Sequence, residues 1–293
     1  MRGRFVLVRR VAAVLLVPLL CAAGILLYLN GRAVEHQATV VGDTAAPDRI
    51  ELYVTAQQVS AAQRRVQLRV EVVPTGSFLE DSGVNAPAKQ ITLYSTSPTH
   101  SEVQFPAGRS ATAQDLDMSL YGGTISDYPF DGYDTELAFA AVVDGVQVPV
   151  SMTFSDIDPF FRFSAVSSRT TNHVVYQVEH LTRAQGTKIM AVFMMIVMWA
   201  LALSVLTGAW ILVSRRRGLV WPALGWMAAT LFALAALRNV APGAPPIGCL
   251  LDYAAFFWAE LLTAVGVVST VLWGTLAERR REPLHEVEKQ ERK

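Results

Sequence analysis

The sequence predicts a membrane protein of α+β class. An extracytoplasmic antiparallel β-sandwich, with the immunoglobulin-like arrangement as one form open to it, is carried by four transmembrane helices, one before it and three after. Three observations predict this. Apolar runs occupy residues 11–29, 189–213, 219–237 and 253–276. The 159 residues between the first and second run alternate apolar and polar side chains, as strands do. Arginines gather at one set of helix ends.

The runs come first. At 19 to 25 residues and 1.5 Å of rise per residue, each can cross a hydrocarbon core of about 30 Å. Glu260 is the one acidic or basic residue within them. Arg2, Arg4, Arg9 and Arg10 precede the first run, Arg215–Arg217 follow the second and Arg279–Arg281 follow the fourth. If every run spans, these clusters share one side, which the positive-inside tendency makes cytoplasmic. Trp210, Trp221 and Trp273 then mark the inner ends, and Tyr28, Tyr253 and Trp258 the outer ends.

The resulting plan has a basic cytoplasmic N-terminus at 1–10 and an uncleaved signal anchor at 11–29. A β-rich extracytoplasmic domain follows at 30–188, then a three-helix bundle at 189–276 with an outer loop at 238–252, and a basic cytoplasmic tail at 277–293. Cleavage after the first run is disfavoured, because residues 28–32 offer no small-x-small site. Leu20 before Cys21 argues against a lipidated cysteine, where a small residue belongs.

Formal net charge is zero, but residues 30–188 hold 18 acidic against 11 basic side chains. Basic tails of this kind meet anionic lipid, so the expected partners are membrane lipid and a protein partner or second copy, with no nucleic acid. Two cysteines make no disulfide framework. Arginine outnumbers lysine 21 to 4, the composition of a high-GC genome such as an actinobacterium's.

Strand signals then follow in order. Ile50, Leu52 and Val54 alternate with polar neighbours, and Val66, Leu68, Val70 and Val72 do so more cleanly. Further strands centre on 91–93, 103–105 and 116–120. Segments 137–143 and 146–154 flank Asp144-Gly145, a strong tight-hairpin signal. A last strand covers 174–178, with 30–48 read as a stalk and 179–188 as a linker. About eight strands with polar turns and no helical period make the sandwich.

Residues 110–161 carry nine acidic side chains and no basic one. Hard cations favour clustered carboxylates, which makes Asp127, Asp131, Asp134 and Glu136 the candidate calcium ligands. No calcium-loop spacing is matched, and a solvated acidic face is the favoured reading. Asp156-Ile157-Asp158 before Pro159 reads as turn chemistry.

Tyr128-Pro129-Phe130-Asp131 is the most distinctive string outside the apolar runs. Over about a dozen residues it resembles the aromatic-Pro-Phe-Asp signature of pentameric ligand-gated channels. In that family the signature loop lies where the extracellular domain meets the membrane. This chain has three helices after the ectodomain where that family has four, so the expectation is a structural turn near the bilayer.

Glu260 lies about two turns into the last helix, where a carboxylate is costly and faces protein, a cavity or a partner. Arg238 is its expected partner, with Asp252 competing for the same guanidinium. A proton relay and a pair that fixes helix register are both open. Ala255, Ala259 and Thr263, and Ala229 and Ala233, recur at four-residue spacing and permit close helix approach. The loop Arg238-Asn239-Val240-Ala241-Pro242-Gly243-Ala244-Pro245-Pro246-Ile247-Gly248 is stiffened by its prolines.

That loop, with Asp252-Tyr253 and Phe256-Phe257-Trp258-Ala259-Glu260, resembles an uncharacterised bacterial membrane family, domain of unknown function 4436, over nearly the whole chain. The resemblance implies an outward domain, a helical C-terminal bundle and no established activity, so it supplies no catalytic residues. Nucleophile-elbow, zinc-protease and phosphate-loop patterns do not occur in the sequence. The five histidines are scattered, and no cofactor is expected. The expected role is non-enzymatic, an interaction, scaffold or accessory-subunit module of the cell envelope. The alternative is a channel or transporter component using Glu260. An enzyme acting on lipid-linked or cell-wall substrate is a third reading.

Overall fold

Strand alternation continues through most of the chain before the second apolar run. The computed structural model describes residues 22, 24–26, 38–80, 84–215 and 220–279. Most of the first apolar run and the basic segments 1–10 and 280–293 lie outside the described residues. So do the signal-anchor reading and Cys21.

The strands are β1 (Thr39–Gly42), β2 (Ile50–Ser60), β3 (Arg65–Pro74), β4 (Ile91–Ser95), β5 (Glu102–Phe105) and β6 (Gln114–Tyr121). They continue with β7 (Gly132–Val143), β8 (Val146–Val148), β9 (Val150–Asp156), β10 (Phe161–Thr171) and β11 (Val174–Arg183). They form one eleven-stranded sheet in the order β1-β9-β2-β3-β6-β7-β11-β10, with β4 and β8 also paired to β7 and β5 to β4. Strand β6 serves both halves. Its first part lies against β3, while Leu120 and Tyr121 pair with Thr135 and Asp134 of β7. The inward positions Ile50, Leu52, Val54, Leu68, Val70, Leu93, Leu116, Leu137 and Phe139 are fully buried.

Several features differ from the expectation, the first being the linker expected at 179–188, which β11 fills as far as Arg183. The sheet is not wholly antiparallel, because β2 and β9 pair in parallel. A parallel neighbour needs a long crossover, which the chain between Ser60 and Val150 supplies. Strand β1 falls inside the expected stalk, bonded to β9. Strand β10 gives no alternation signal because eight of its eleven residues are exposed. It sits at the sheet edge, joined to β11 by Asn172 and His173, both at positive φ. The hairpin predicted at Asp144-Gly145 is present, with both residues at positive φ as a type I′ turn requires. Pro149 lacks an N–H and divides the expected 146–154 strand into β8 and β9.

Strand β2 carries a bulge. Ala56 faces Leu68 and Gln58 faces Gln67, so two residues on one strand oppose one on the other. Asp158 supports the irregular backbone. Its Oδ2 accepts from Val59 N at 2.7 Å, and its Oδ1 accepts from Phe160 N at 2.7 Å and Phe161 N at 2.9 Å. The turn chemistry expected of 156–158 is therefore also a clamp on β2.

Residues 124–131, between β6 and β7, group with the C-terminal helices, while 132–186 group with the β-domain. The helices are α1 (Gln185–Ser214), α2 (Trp221–Asn239) and α3 (Phe257–Arg279), the last preceded by a π-helical turn at Asp252–Phe256. Three helices among the described residues are long and apolar enough to cross a membrane. On α1 the buried positions are Ala191, Met194, Met198, Ala202, Val205 and Ala209, a stripe at spacings of three and four. Ala255, Ala259, Thr263, Gly266 and Thr270 form the packed stripe leading into and along α3. A Cβ added to Gly266 would lie 3.2 Å from Val205 Cγ1 and 3.5 Å from Ala209 Cβ, so glycine sets how closely α1 and α3 approach. Ala229 and Ala233 face outward instead, and α2 packs through Met227, Thr230, Leu234 and Arg238.

Candidate functional site

The loop between α2 and α3 closes around one ion pair. Arg238 ends α2 and Asp252 opens the π-helical turn, and both are buried. Arg238 Nε donates to Asp252 Oδ1 at 2.8 Å and Nη2 donates to Oδ2 at 2.8 Å. This bidentate fork is the strongest form of such a pair. Two of the three remaining guanidinium protons reach backbone. Nη1 donates to the Pro245 carbonyl at 3.0 Å and Nη2 to that of Pro246 at 2.9 Å. Pro245 and Pro246 have no N–H of their own, so these two residues offer the guanidinium acceptors only.

The carboxylate is equally occupied. Asp252 Oδ2 also accepts from Gly248 N at 2.7 Å and Cys249 N at 3.3 Å. Gly248 has φ of +96°, which glycine adopts without strain. Cys249 is a buried free thiol 3.6 Å from the same oxygen, and burial pushes that thiol up. A buried pair gains stability only with good geometry and its remaining donors and acceptors satisfied. Here the fork is bidentate, and every Arg238 nitrogen and both Asp252 oxygens have a partner.

The Tyr128–Asp131 string belongs to this unit. The Tyr128–Pro129 peptide is cis, and Tyr128 and Pro129 are buried while Phe130 is 59% exposed. Tyr128 shares one apolar cluster with Ala191, Met194, Leu234, Ala241, Cys249 and Leu251. Asp131 is buried. Thr124 caps the turn, its Oγ1 accepting from Ser126 N at 3.4 Å, and Phe130 N donates to the Asp127 carbonyl at 2.8 Å. The turn is thus built into the helical core, with Tyr128 in one cluster with Ala241, Cys249 and Leu251 of the α2–α3 connection.

Glu260 is not the partner of Arg238. Asp252 takes that guanidinium, and the reason is distance along the helix. Eight residues separate the two acids, about 12 Å of rise, beyond what an arginine already held by a loop can reach. Glu260 is half-buried, and its Oε2 is enclosed with no hydrogen-bond partner among the described residues. One turn earlier, Trp199 Nε1 donates to the Ala254 carbonyl at 3.0 Å, within the π-helical turn. Asn239 is exposed at the end of α2.

The four candidate calcium ligands are spread out. Asp127 is exposed in the turn of the helical unit, whereas Asp134 and Glu136 lie on β7. Asp134 Oδ1 lies 2.6 Å from His180 Nδ1, directly across the β7–β11 ladder. No group of three or more histidine, cysteine or acidic side chains placed to hold a metal occurs among the described residues. A second histidine is also paired, His173 Nδ1 lying 2.7 Å from Asp43 Oδ2. In the sequence these histidines are only scattered, because partners on distant strands cannot be read from local pattern.

The β-domain also buries polar side chains that the sequence reading missed. On β11 the inward positions are Val175, Gln177, Glu179, Leu181 and Arg183. Gln177 Nε2 donates to a Glu179 carboxylate oxygen and to Thr39 Oγ1 on β1, the latter at 3.1 Å. Burial pushes the Glu179 carboxyl up to about 7, against the lowering effect of the Gln177 amide, and Asp156 adds to the rise. Arg183 stacks its guanidinium 4.1 Å above the Phe161 ring. Local alternation points the other way here, since Val174, Tyr176 and Val178 form the more apolar parity while Gln177, Glu179 and Arg183 are the buried one.

Residues 40–180 match the family model described as Domain of unknown function (DUF4436). Residues 183–277 match a second, described as Domain of unknown function (DUF8686). The first match covers the β-domain and stops short of the helices, so the resemblance is narrower than the whole chain. No curated protein matches the sequence.

Proposed function

With residues 40–180 belonging to the domain of unknown function 4436 family, we propose that this chain is a non-enzymatic membrane protein of the cell envelope. Its β-domain serves as a docking, scaffold or accessory-subunit module. In this reading the domain is an antiparallel-rich β-sandwich outside the membrane, and both chain ends are cytoplasmic. The arginine clusters beside the apolar runs support that orientation. Membrane lipid and a protein partner or second copy are its expected contacts.

The observation that carries the reading is the saturated Arg238–Asp252 pair. Its donors and acceptors are spent on Pro245, Pro246, Gly248 and Cys249. Chemistry consumed in this way holds a loop in shape. Cross-linking in native membranes, then affinity purification in mild detergent, tests the proposal. A reproducible partner or homo-oligomer is expected. Recovery of the lone monomer across detergents would refute it.

A second reading is a channel or transporter component, favoured by the enclosed, unbonded Oε2 of Glu260. Planar-bilayer recording of the purified protein tests it. Conductance that Glu260→Gln abolishes would support it, and silence from a monomeric species would end it.

A further inference from the structure

The outer face of the sheet carries a polar cleft of about 330 Å³, lined by Gln58, Ser60, Gln63, Arg65, Gln67 and Asp117. Its construction follows from the strand register. Gln58, Gln67 and Asp117 are consecutive cross-strand partners on β2, β3 and β6, and Ser60 faces Arg65 two residues along. Neighbouring strands lie about 4.8 Å apart, so three hydrogen-bonding side chains stand in a row at that interval. The short helical turn Ala61–Gln63 closes one end and brings Gln63 into the lining.

The β2 bulge is what aims Gln58 into this row. Ile50, Leu52, Val54 and Ala56 point inward, and unbroken alternation would turn Gln58 inward too. The extra residue reverses the parity, leaving Gln58 exposed opposite Gln67. Bulges recur beside functional sites because they re-aim a side chain in this manner. Asp158 holds the bulge by accepting from Val59 N.

The lining decides the ligand class. Arg65 Nη1 lies 3.1 Å from Asp117 Oδ2, so the two charges compensate each other. The side chains of Gln58, Ser60, Gln63 and Gln67 make no hydrogen bond among the described residues, which leaves three amides and a hydroxyl uncommitted. An amide offers donor and acceptor side by side, the pattern that neighbouring hydroxyl groups of a sugar ring match. A lipid chain would need apolar walls, and a nucleic acid would need uncompensated positive charge. A peptide strand adds to a sheet edge, but β3 is flanked on both sides by β2 and β6. The cleft is half open, so a chain longer than one ring can run out of it.

We propose that this cleft binds a neutral, polyhydroxylated ligand, a glycan chain, through the Gln58–Gln67–Asp117 row with Ser60 and Gln63. The physiological sense of this rests on the docking reading above, but binding itself can be measured independently. The test uses the full chain in lipid nanodiscs, since glucoside and maltoside detergents would occupy the site. Saturation-transfer NMR and calorimetry are run against neutral hexaoligosaccharides of glucose, mannose, galactose and N-acetylglucosamine, with an oligogalacturonate as acidic control. At least one neutral oligosaccharide should bind. The double variant Gln58→Ala/Gln67→Ala should weaken it by about tenfold or more, with an unchanged melting curve because both side chains face solvent. Gln104→Ala, on a distant strand, should bind as the unaltered protein does. No neutral binding, equal binding by the double variant, or preference for the acidic oligomer would overturn the assignment. Those failures, alongside a recovered protein partner, would leave the docking proposal standing and refute only the glycan.

Discussion

Replacing Glu179 with glutamine should stabilise the β-domain above neutral pH and have little effect in mild acid. In the unfolded chain this carboxyl titrates near 4.5, and in the folded domain burial raises it to about 7. Below the lower value it is protonated in both states and costs nothing. Between the two, the unfolded chain releases its proton while the folded domain retains it, so stability falls as pH rises. Above about 7 both states are ionised and the penalty levels off. At about 1.4 kcal/mol for each pH unit the full gap is an upper limit of about 3 kcal/mol. Discounted for solvent screening and local relaxation, roughly 2 kcal/mol is expected. For a domain of this size that corresponds to about 4–8 °C in melting temperature. Full-length protein and the Glu179→Gln variant should be melted in detergent at intervals from pH 4.5 to 8.5, following strand circular dichroism. The difference between the curves should open across the 4.5–7 window. A difference that stays flat with pH, or a variant less stable at pH 8, would refute the argument.

Three further outcomes are expected. Asp252→Asn strands a buried guanidinium and should cost about 3–5 kcal/mol in chemical denaturation, with faster proteolysis in the loop 240–251. The double variant Arg238→Met/Asp252→Leu should regain most of that loss. Gly266→Leu forces α1 and α3 apart and should destabilise the helical unit by about 1–3 kcal/mol, measured by tryptophan fluorescence, since all six tryptophans lie at or beyond residue 199. Asp158→Ala removes the acceptor shared by Val59, Phe160 and Phe161 N–H groups. It should cost about 2–3 kcal/mol, with hydrogen exchange accelerated at Val59 first.

Local pattern carried most of the architecture. Period-two alternation found β2, β3, β6 and β7 because each presents one face to the core and one to water. Apolar length found the three described helices. Strand β10 escaped because an edge strand whose side chains are nearly all solvated has no hydrophobic face to display. The parallel β2–β9 pairing escaped because strand order is a long-range property. At the outer loop, sequence brought forward Arg238, Asp252 and Glu260 but linked the arginine to the wrong acid first. The choice turned on helical rise and on the shape of a proline loop, neither of which single-residue chemistry encodes. The row Gln58–Gln67–Asp117 was hidden for a related reason. Only the bulge puts Gln58 on the outer face, and one inserted residue leaves no mark in composition.

The π-helical turn at Asp252–Phe256 acts as a phase shifter. An α-helix advances about 100° per residue, and one residue of surplus winding rotates everything before it relative to everything after. Asp252 can therefore point to Arg238 while Ala255, Ala259 and Thr263 keep to the packing side. Excising one residue, Ala254 for instance, would restore ordinary winding and turn the carboxylate about a quarter-circle or more away from its guanidinium. The loop would lose its knot with every side chain of the knot still present. Length between Gly248 and Ala259, counted in single residues, is thus as strict a requirement of this unit as the identity of its charged pair.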